Sequence, residues 1–441
     1  LAFSPEHLLE TLRRLPAAGR YRVALSGGLD SCVLLAAMAE LHSGLPGGLE
    51  AVHVNHGLHP DAGDWQRHCE RLCADLGVPL TSHAVRVEPG SGESLEAVAR
   101  EARYGVFRGL MQPRDMLLLA QHGDDQLETF LLQALRGAGV RGLAAMPPCV
   151  DFSAGWLARP LLDVSRAELA AWAEVRKLAW KEDPSNADTD LDRNYLRHEV
   201  LPRLKARWPA AAVTVGRVAR HCADAAELLK DMATEDWARY GEGATLPLAA
   251  LEALPEPRAR NLMRHWLELQ GLPLPPAQKL LEILRQSEAR DDRNPCVDWH
   301  GGEVRRYDDR LYAQRPLPPA PGEFLLRPGE ARSLGEGLGA LRLTPAAGEG
   351  IRAALCGPEG LRVAFRSGGE SCRPAGRAHA RPLKKWLQDL RVLPWLRDRL
   401  PLLYADRELL AVAGLFACEP HAARAGEAGL RIEWLDHPPL H

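Results

Sequence analysis

The sequence predicts an α/β protein in which a doubly wound parallel sheet is followed by a helical middle domain and a small α+β C-terminal domain. Three observations predict it. Over roughly the first 150 residues, short apolar runs alternate with longer helical patterns. One of those runs ends in Ser26-Gly27-Gly28-Leu29-Asp30-Ser31, directly ahead of a helical pattern. After Asp163 the periodicity turns helical, and beyond the proline-dense stretch 316–321 short strand-like runs return.

Residues 21–26 are expected as a buried strand and 31–42 as a helix. Strands are expected at 49–55, 80–87 and 116–121, with helices at 64–76, 94–110 and 126–135. Strand, helix, strand at this spacing gives βαβ units and a parallel sheet. Ser165 three residues before Glu168 is a capping box opening a further helix. Helices are expected at 196–208, 211–235, 251–270 and 276–287, and a hairpin about Gly301-Gly302 within 297–313. The expected domains are 1–210 (nucleotide-binding and catalytic), 211–315 (helical, substrate-binding), a linker at 316–335, and 336–441 (C-terminal).

Composition narrows the classes. With 441 residues, 46% hydrophobic and 26% charged, the chain can bury sizeable cores without staples. A net charge of −3 does not announce a nucleic-acid partner for the whole molecule. Nine cysteines, an odd number with no CxxC pair, fit thiols in a reducing compartment. Residues 1–14 pattern as an amphipathic helix rather than a signal peptide, and no apolar run approaches 20 residues. The expected location is the cytoplasm, with no membrane contact. Monomer and homodimer are both compatible with the sequence.

The loop 26–31 has the chemistry of a phosphate cradle. Gly27 and Gly28 permit positive φ and close backbone approach, and the next helix offers free N–H groups at its positive end. Ser26 and Ser31 add hydroxyl donors. The lysine of the kinase-type P-loop is missing and Asp30 stands in the loop. A carboxylate beside phosphates needs a divalent cation between them, which points to Mg²⁺.

Three more segments carry polar groups near strand ends. His53, Asn55 and His56 close the second strand, where backbone groups can meet adenine; the two histidines could instead be metal ligands. Glu96, Arg100 and Arg103 share a helix face, which is either a solvated salt-bridged face or a source of arginine for an α-phosphate. Asp124, Asp125 and Glu128 begin the helix after the fourth strand. An acidic helix start favours the dipole, but the whole run suits a cation such as Mg²⁺ or an ammonium.

The hexapeptide 26–31 resembles the PP-loop of the adenine-nucleotide α-hydrolase-like superfamily. The phrases SGGLDS, VNHGLH, EAVAREARY, AQHGDDQLETFLLQALRGAG, RPLLDVSRAEL and EDPSNADTDLDRNYLRHEVLPRL together resemble the tRNA(Ile)-lysidine synthetase family. The likeness is strong over about residues 20–205. It extends to the C-terminal part through Phe365–Glu370 and Lys384–Leu387, while 215–313 matches only in pattern.

This resemblance implies an ATP-dependent ligase with two substrates besides ATP: L-lysine and a tRNA(Ile) bearing a CAU anticodon. ATP adenylates the wobble cytidine and lysine then displaces AMP. It implies that Ser26, Gly27, Gly28, Leu29, Asp30, Ser31, His53 and Asn55 bind ATP, and that Asp30 and Asp125 hold Mg²⁺. Asp30, Arg100, Arg103, Asp125 and Glu128 would be catalytic, with Asp125 and Glu128 also binding lysine. Arg193, Asn194, Arg197, Arg366, Arg381, Lys384 and Lys385 would contact tRNA. Residues 361–400 carry ten cations against three acids, with Trp386 and Trp395 interleaved. That patch suits phosphate contact and stacking, although core packing explains the tryptophans taken alone. The rival readings are a PP-loop tRNA 2-thiolase-like enzyme, which would need catalytic cysteines, an amidotransferase-type synthetase, which would need a glutaminase domain or partner, and a non-catalytic tRNA-binding protein.

Overall fold

A computed structural model gives the fold and describes residues 3–45, 47–57, 61–87, 95–183, 188–287 and 295–441. The chain divides into two compact units, Leu1–Leu229 and Lys230–His441.

The first unit is built on six strands: β1 (Arg20–Ala24), β2 (Gly48–Asn55), β3 (Leu80–Ala84), β4 (Asp115–Leu118), β5 (Cys149–Phe152) and β6 (Gly155–Ala158), in the order β3-β2-β1-β4-β6-β5. Every pairing is parallel except β5 with β6. The chain runs outward from β1 to β3, then returns to place β4 on the other side of β1. The strand order therefore reverses between β1 and β4, and in open α/β sheets the crevice at the carboxyl ends there takes the ligand.

Helices α1 (Pro5–Arg13), α2 (Leu29–Leu41), α3 (Ala62–Leu76), α4 (Leu95–Leu110), α5 (Gly123–Leu135), α6 (Val140–Leu143) and α7 (Arg166–Val175) accompany the sheet. Leu29 and residues 31–38 of α2 are all buried. A helix that is apolar all round must be covered all round, and this one belongs to the main core with Leu8 and Leu12 of α1 and Leu169 and Trp172 of α7. The expected capping box at Ser165 forms, with Glu168 N donating to Ser165 Oγ at 3.3 Å.

The helix expected at 196–208 is longer and interrupted. It runs as α8 (Asp192–Tyr195), a π-turn over Leu196–Val200, and α9 (Leu201–Arg207). Pro202 has no N–H to offer the fourth carbonyl back, so the ladder opens there, and Leu201 N donates to Leu196 O five residues back. Helix α10 (Ala211–Tyr240) continues past the expected end at Glu235. Residues 184–187 of the EDPSNADTD stretch lie outside the described residues, as do Leu58 and Ser94.

In the second unit the helix expected at 251–270 is two, α11 (Leu248–Glu252) and α12 (Glu256–Leu269), split by Pro255. With α13 (Ala277–Ser287) they pack on a sheet of β7 (Leu246–Pro247), β8 (Cys296–Trp299), β9 (Gly302–Tyr307) and β10 (Arg310–Gln314). The expected hairpin is β8–β9, turning at Gly301 with φ 82°. A second hairpin, β9–β10, turns through Asp308 and Asp309, both at positive φ.

The C-terminal strands are β11 (Phe324–Leu326), β12 (Ala331–Ser333), β13 (Ala340–Ala347), β14 (Ile351–Arg352), β15 (Leu361–Phe365), β16 (Ser371–Cys372), β17 (Arg381–Pro382), β18 (Pro401–Ala405), β19 (Glu408–Val412), β20 (Phe416–Ala417) and β21 (Ala428–Leu435). They form sheets β11-β15-β18-β19-β20 and β12-β13-β21-β14, plus the β16–β17 pair, and helix α14 (Leu383–Asp389) packs into their shared core. Strands β11 and β12 lie inside 316–335, so part of the stretch expected as a linker is paired into these sheets.

Arg22 of β1 ties three strands at the end of the sheet opposite the crevice. Its Nε donates to Asp115 Oδ2 of β4 at 2.9 Å and its Nη1 to Glu50 Oε2 of β2 at 2.7 Å, all largely buried. Removing one partner of such a group leaves an uncompensated buried charge. Arg22→Met is expected to cost about 3–5 kcal/mol in denaturant unfolding, and adding Asp115→Asn should restore a large part. Wild-type stability of the single variant would show the pairing contributes nothing.

Candidate functional site

The strand β1 ends in the loop at the switch point. Gly27 adopts φ 87°, and a Cβ there would sit 3.1 Å from Cys69 Sγ, so both the backbone turn and the packing favour glycine. Gly28 caps α2 without a side chain, leaving the first N–H groups of that helix open to an anion. Ser31 Oγ receives Ser26 N at 3.2 Å, donates to Gly28 O at 3.0 Å and meets Ser26 Oγ at 3.0 Å. The two hydroxyls thus hold the loop in its curve. Leu29 points into the core, so its share in any nucleotide contact is its backbone.

Across the crevice, the segment after β4 delivers His122, Asp124, Asp125 and Glu128. All four are buried. Gly123 lets α5 start three residues earlier than expected, because its N donates to Val164 O at 2.7 Å and a Cβ would meet that oxygen at 3.1 Å. His122 is the N-cap: its Nδ1 accepts from Asp125 N at 3.3 Å, and Asp125 Oδ2 accepts from His122 N at 3.1 Å. With Nδ1 accepting, the ring proton sits on Nε2, which lies 3.4 Å from Asp125 Oδ2 and 3.7 Å from Asp30 Oδ1. The imidazole therefore bridges the PP-loop-like aspartate to the acidic helix.

Two arginines close on that helix from α8 and the π-turn. Arg193 Nε donates to Glu128 Oε2 at 2.8 Å, and Arg197 Nε donates to Glu128 Oε1 at 2.7 Å. Both Nη2 groups reach Asp125 Oδ1, at 3.3 and 3.0 Å. The Glu128 side chain is only 1% exposed. Burial works against ionisation of Asp124, but Lys205 Nζ at 2.5 Å and the Arg166 amide at 3.0 Å hold its carboxyl below the usual range. Asn194 is buried and donates to Asp188 O at 2.8 Å, so it braces its own turn rather than presenting an RNA contact.

Asp30 differs from its neighbours. Burial and the nearby Asp125 raise its pKa despite His122, Arg166 and Arg197. Its Oδ1 is buried with no hydrogen-bond partner. Among the described residues no three His, Cys, Asp or Glu side chains gather as a complete cation site. Mg²⁺ asks for less, one or two carboxylates with phosphate oxygens, and an unsatisfied carboxylate oxygen beside the phosphate loop fits it.

His53 is buried, with Nδ1 2.8 Å from Leu25 O, so it ties the base of the loop to β2. Asn55 bonds Gln66 at 3.2 Å and accepts from Gly57 N at 2.9 Å. Arg100 is exposed and lies over the Tyr104 ring, 4.7 Å from its centroid. Arg103 lies near His56, whose pKa is lowered by burial and by that charge. In the second unit, Arg366 pairs with Asp398 and Glu370, and Arg381 with Asp389, while Lys384 and Lys385 are exposed. Trp386 and Trp395 are buried in the core, as packing alone suggested.

His122, Arg166, Lys205 and Arg159 were not singled out from the sequence. Arg159, just past β6, donates to Gln121 Oε1 at 3.1 Å and Pro147 O at 2.9 Å. A histidine in the N-cap position ahead of paired aspartates was the one legible signal among them. Cysteines near the loop do not offer a thiolate: burial raises Cys32, and pushes Cys69 up to about 12 and Cys73 to about 11. At neutral pH these thiols stay protonated, which disfavours sulfur-transfer chemistry at them.

Family models match the chain as a PP-loop domain over residues 5–204, a TilS substrate binding domain over 246–312 and a TilS substrate C-terminal domain over 361–434. A curated tRNA(Ile)-lysidine synthase of Coxiella burnetii is 41% identical over 98% of this chain and 96% of its own. The chain belongs to the tRNA(Ile)-lysidine synthase family. The synthase of Alkalilimnicola ehrlichii is 45% identical over 96% of both chains, and that of Pseudomonas aeruginosa 41% identical over 97% and 96%. Within this ligase family the ATP-binding domain is the first unit's sheet and its loop. No helix among the described residues is long and apolar enough to cross a membrane.

Asp30→Asn keeps the size of the side chain and removes the charge. It is expected to lower the rate of AMP release by roughly 100-fold or more, with no fall in the urea midpoint measured without nucleotide. A midpoint that drops along with activity would make Asp30 structural.

Proposed function

We propose that the chain ligates L-lysine to C2 of the wobble cytidine of a CAU-anticodon tRNA(Ile), converting ATP to AMP and pyrophosphate. The observation that carries this reading is the meeting of the 26–31 loop, the unsatisfied Asp30 carboxylate and the His122–Asp125–Glu128 helix start at one switch point. It occurs in a chain 41–45% identical, over nearly all its length, to proteins named for that activity.

The cytidine O2 attacks the α-phosphorus, the bond to the β-phosphate oxygen breaks, and pyrophosphate leaves. The ε-amine of lysine, having shed a proton, then adds at C2, and the C2–O bond breaks to release AMP. The 26–31 loop suits the departing pyrophosphate, held by backbone N–H groups and the two serine hydroxyls. Asp30, with Asp125, would hold Mg²⁺, which when bound offsets the negative charge of the phosphates. Arg100 and Arg103 are the cations proposed for the α-phosphate. His53 and Asn55, at the end of β2, are the residues proposed for the adenine side.

Lysine is assigned to Asp125 and Glu128. Both carboxylates already hold guanidinium groups, so the incoming ammonium shares or displaces an arginine rather than filling an empty acid pair. Glu128→Gln is expected to raise the lysine KM about tenfold or more while the ATP KM stays nearly unchanged. Equal rises in both, with a lower melting temperature, would leave Glu128 as a brace for Arg193 and Arg197 only.

For tRNA, the proposed contacts are Arg193 and Arg197 in the first unit and Arg366, Arg381, Lys384 and Lys385 in the second. The domain roles follow: residues 1–210 catalyse, 211–315 bind substrate and 336–441 bind tRNA. Neutralising Lys384 and Lys385 together should weaken tRNA binding and flatten its log–log salt slope by about 1–2. An unchanged slope would remove them from the RNA surface.

Incubating the purified chain with CAU-anticodon tRNA, ATP and labelled lysine tests the whole reading. Stoichiometric lysine incorporation and AMP release are expected. ATP turnover without lysine incorporation, or no turnover, would overturn it.

A further inference from the structure

The segment from Asp192 to Trp208 has two faces. Its inner face supplies Arg193, Arg197 and Lys205 to the acidic groups of α5. Its outer face is open. Tyr195, Glu199, Val200, Arg203, Leu204 and Trp208 line a groove of about 370 Å³. Tyr195 is 52% exposed and Trp208 57%, which sets them apart from Trp172, Trp266, Trp386, Trp395 and Trp434, all buried.

We infer that this groove is a stacking platform for an unpaired nucleobase of the tRNA substrate. The inference rests on the proposed function and deepens it. Exposed aromatic faces beside guanidinium groups are what single-stranded RNA uses, because every base has a π-face and every linkage a charge. Here the guanidinium of Arg207 lies 5.6 Å from the Trp208 ring centroid, and Arg203, whose Nη2 is 3.7 Å from Glu199 Oε2 one turn back, keeps its side chain 83% exposed. Three of the segment's five cations are held by carboxylates of α5, which leaves Arg203 and Arg207 as the cations available to the outer face. Half-buried Val200 and Leu204 supply the apolar surface between the two rings.

Position supports the same occupant. One face of this helical segment binds the proposed catalytic carboxylates, so a base on the other lies roughly one helix diameter, about 10 Å, from them. A nucleotide adjoining the modified cytidine is then within reach of the groove. The π-turn sets the relation of the two faces, and such turns recur at functional sites. A second copy of this chain would be matched better by an aliphatic patch than by arginines that repel their own image.

The test uses the full chain and measures tRNA affinity at fixed salt for Tyr195→Ala, Trp208→Ala and Trp208→Phe. Each alanine variant is expected to raise the tRNA Kd roughly five- to hundredfold, with KM for ATP and lysine unchanged. Trp208→Phe retains a ring and should stay within about twofold of wild type. Both side chains are more than half exposed, so thermal unfolding should not move. Wild-type affinity in both alanine variants, or equal loss in Trp208→Phe, would overturn the platform. So would a loss accompanied by a changed mass in light scattering, which would assign the groove to a second copy. Lysine incorporation by the wild-type chain is measured alongside: its failure removes the proposed function, whereas failure of the variants alone removes only the platform.

Discussion

The carboxylate of Glu128 is almost wholly buried and accepts from both Arg193 and Arg197. A buried charge in that setting is tolerable only while its partners stay. Keeping them fixes the α8–α9 segment against α5, and Asp125 shares the same two guanidinium groups. Asp125 in turn caps its helix through His122, whose Nε2 proton faces Asp30. The acidic helix start and the basic segment are thus coupled by ion pairs, and the imidazole of His122 lies between that set and the phosphate loop.

The topology makes that coupling possible. Loops leaving β1 and β4 at the same end of the sheet face one crevice because the strand order reverses there. Arg22 holds β1, β2 and β4 together at the opposite end, where it does not compete with the site. Charge is used in two ways in this unit. Arg22 is neutralised within the sheet, while Asp30 keeps an oxygen without a hydrogen bond. An unsatisfied buried carboxylate costs stability and is retained where a cation is to be met.

Much of the first unit was legible along the chain, because periodicity and glycine spacing are local. Strands β1 to β4 and helices α2 to α5 lie within a few residues of their expected bounds. The misplaced boundaries have local causes too. Pro202 opens a π-turn, Pro255 divides α11 from α12, and Gly123 behind the capping histidine lets α5 start early. Two strands occupy the expected linker because prolines at 316–321 mark an extended chain without saying where it pairs.

By itself the sequence determined the strand–loop–helix at 26–31, the acidic helix start at 124–128 and the basic run at 193–197, since each is a short pattern of residue types. Only the tertiary structure decided that these runs meet. Glu128 and Arg193 are 65 residues apart, and no periodicity carries a contact over that distance. The structure also decided that Glu128 already has cationic partners and that Asn194 turns inward. It assigned Tyr195 and Trp208 to an outer face, because exposure depends on what packs against a helix and not on the helix alone. Burial, which sets charge pairing, pKa and access together, is a property of the folded assembly of elements.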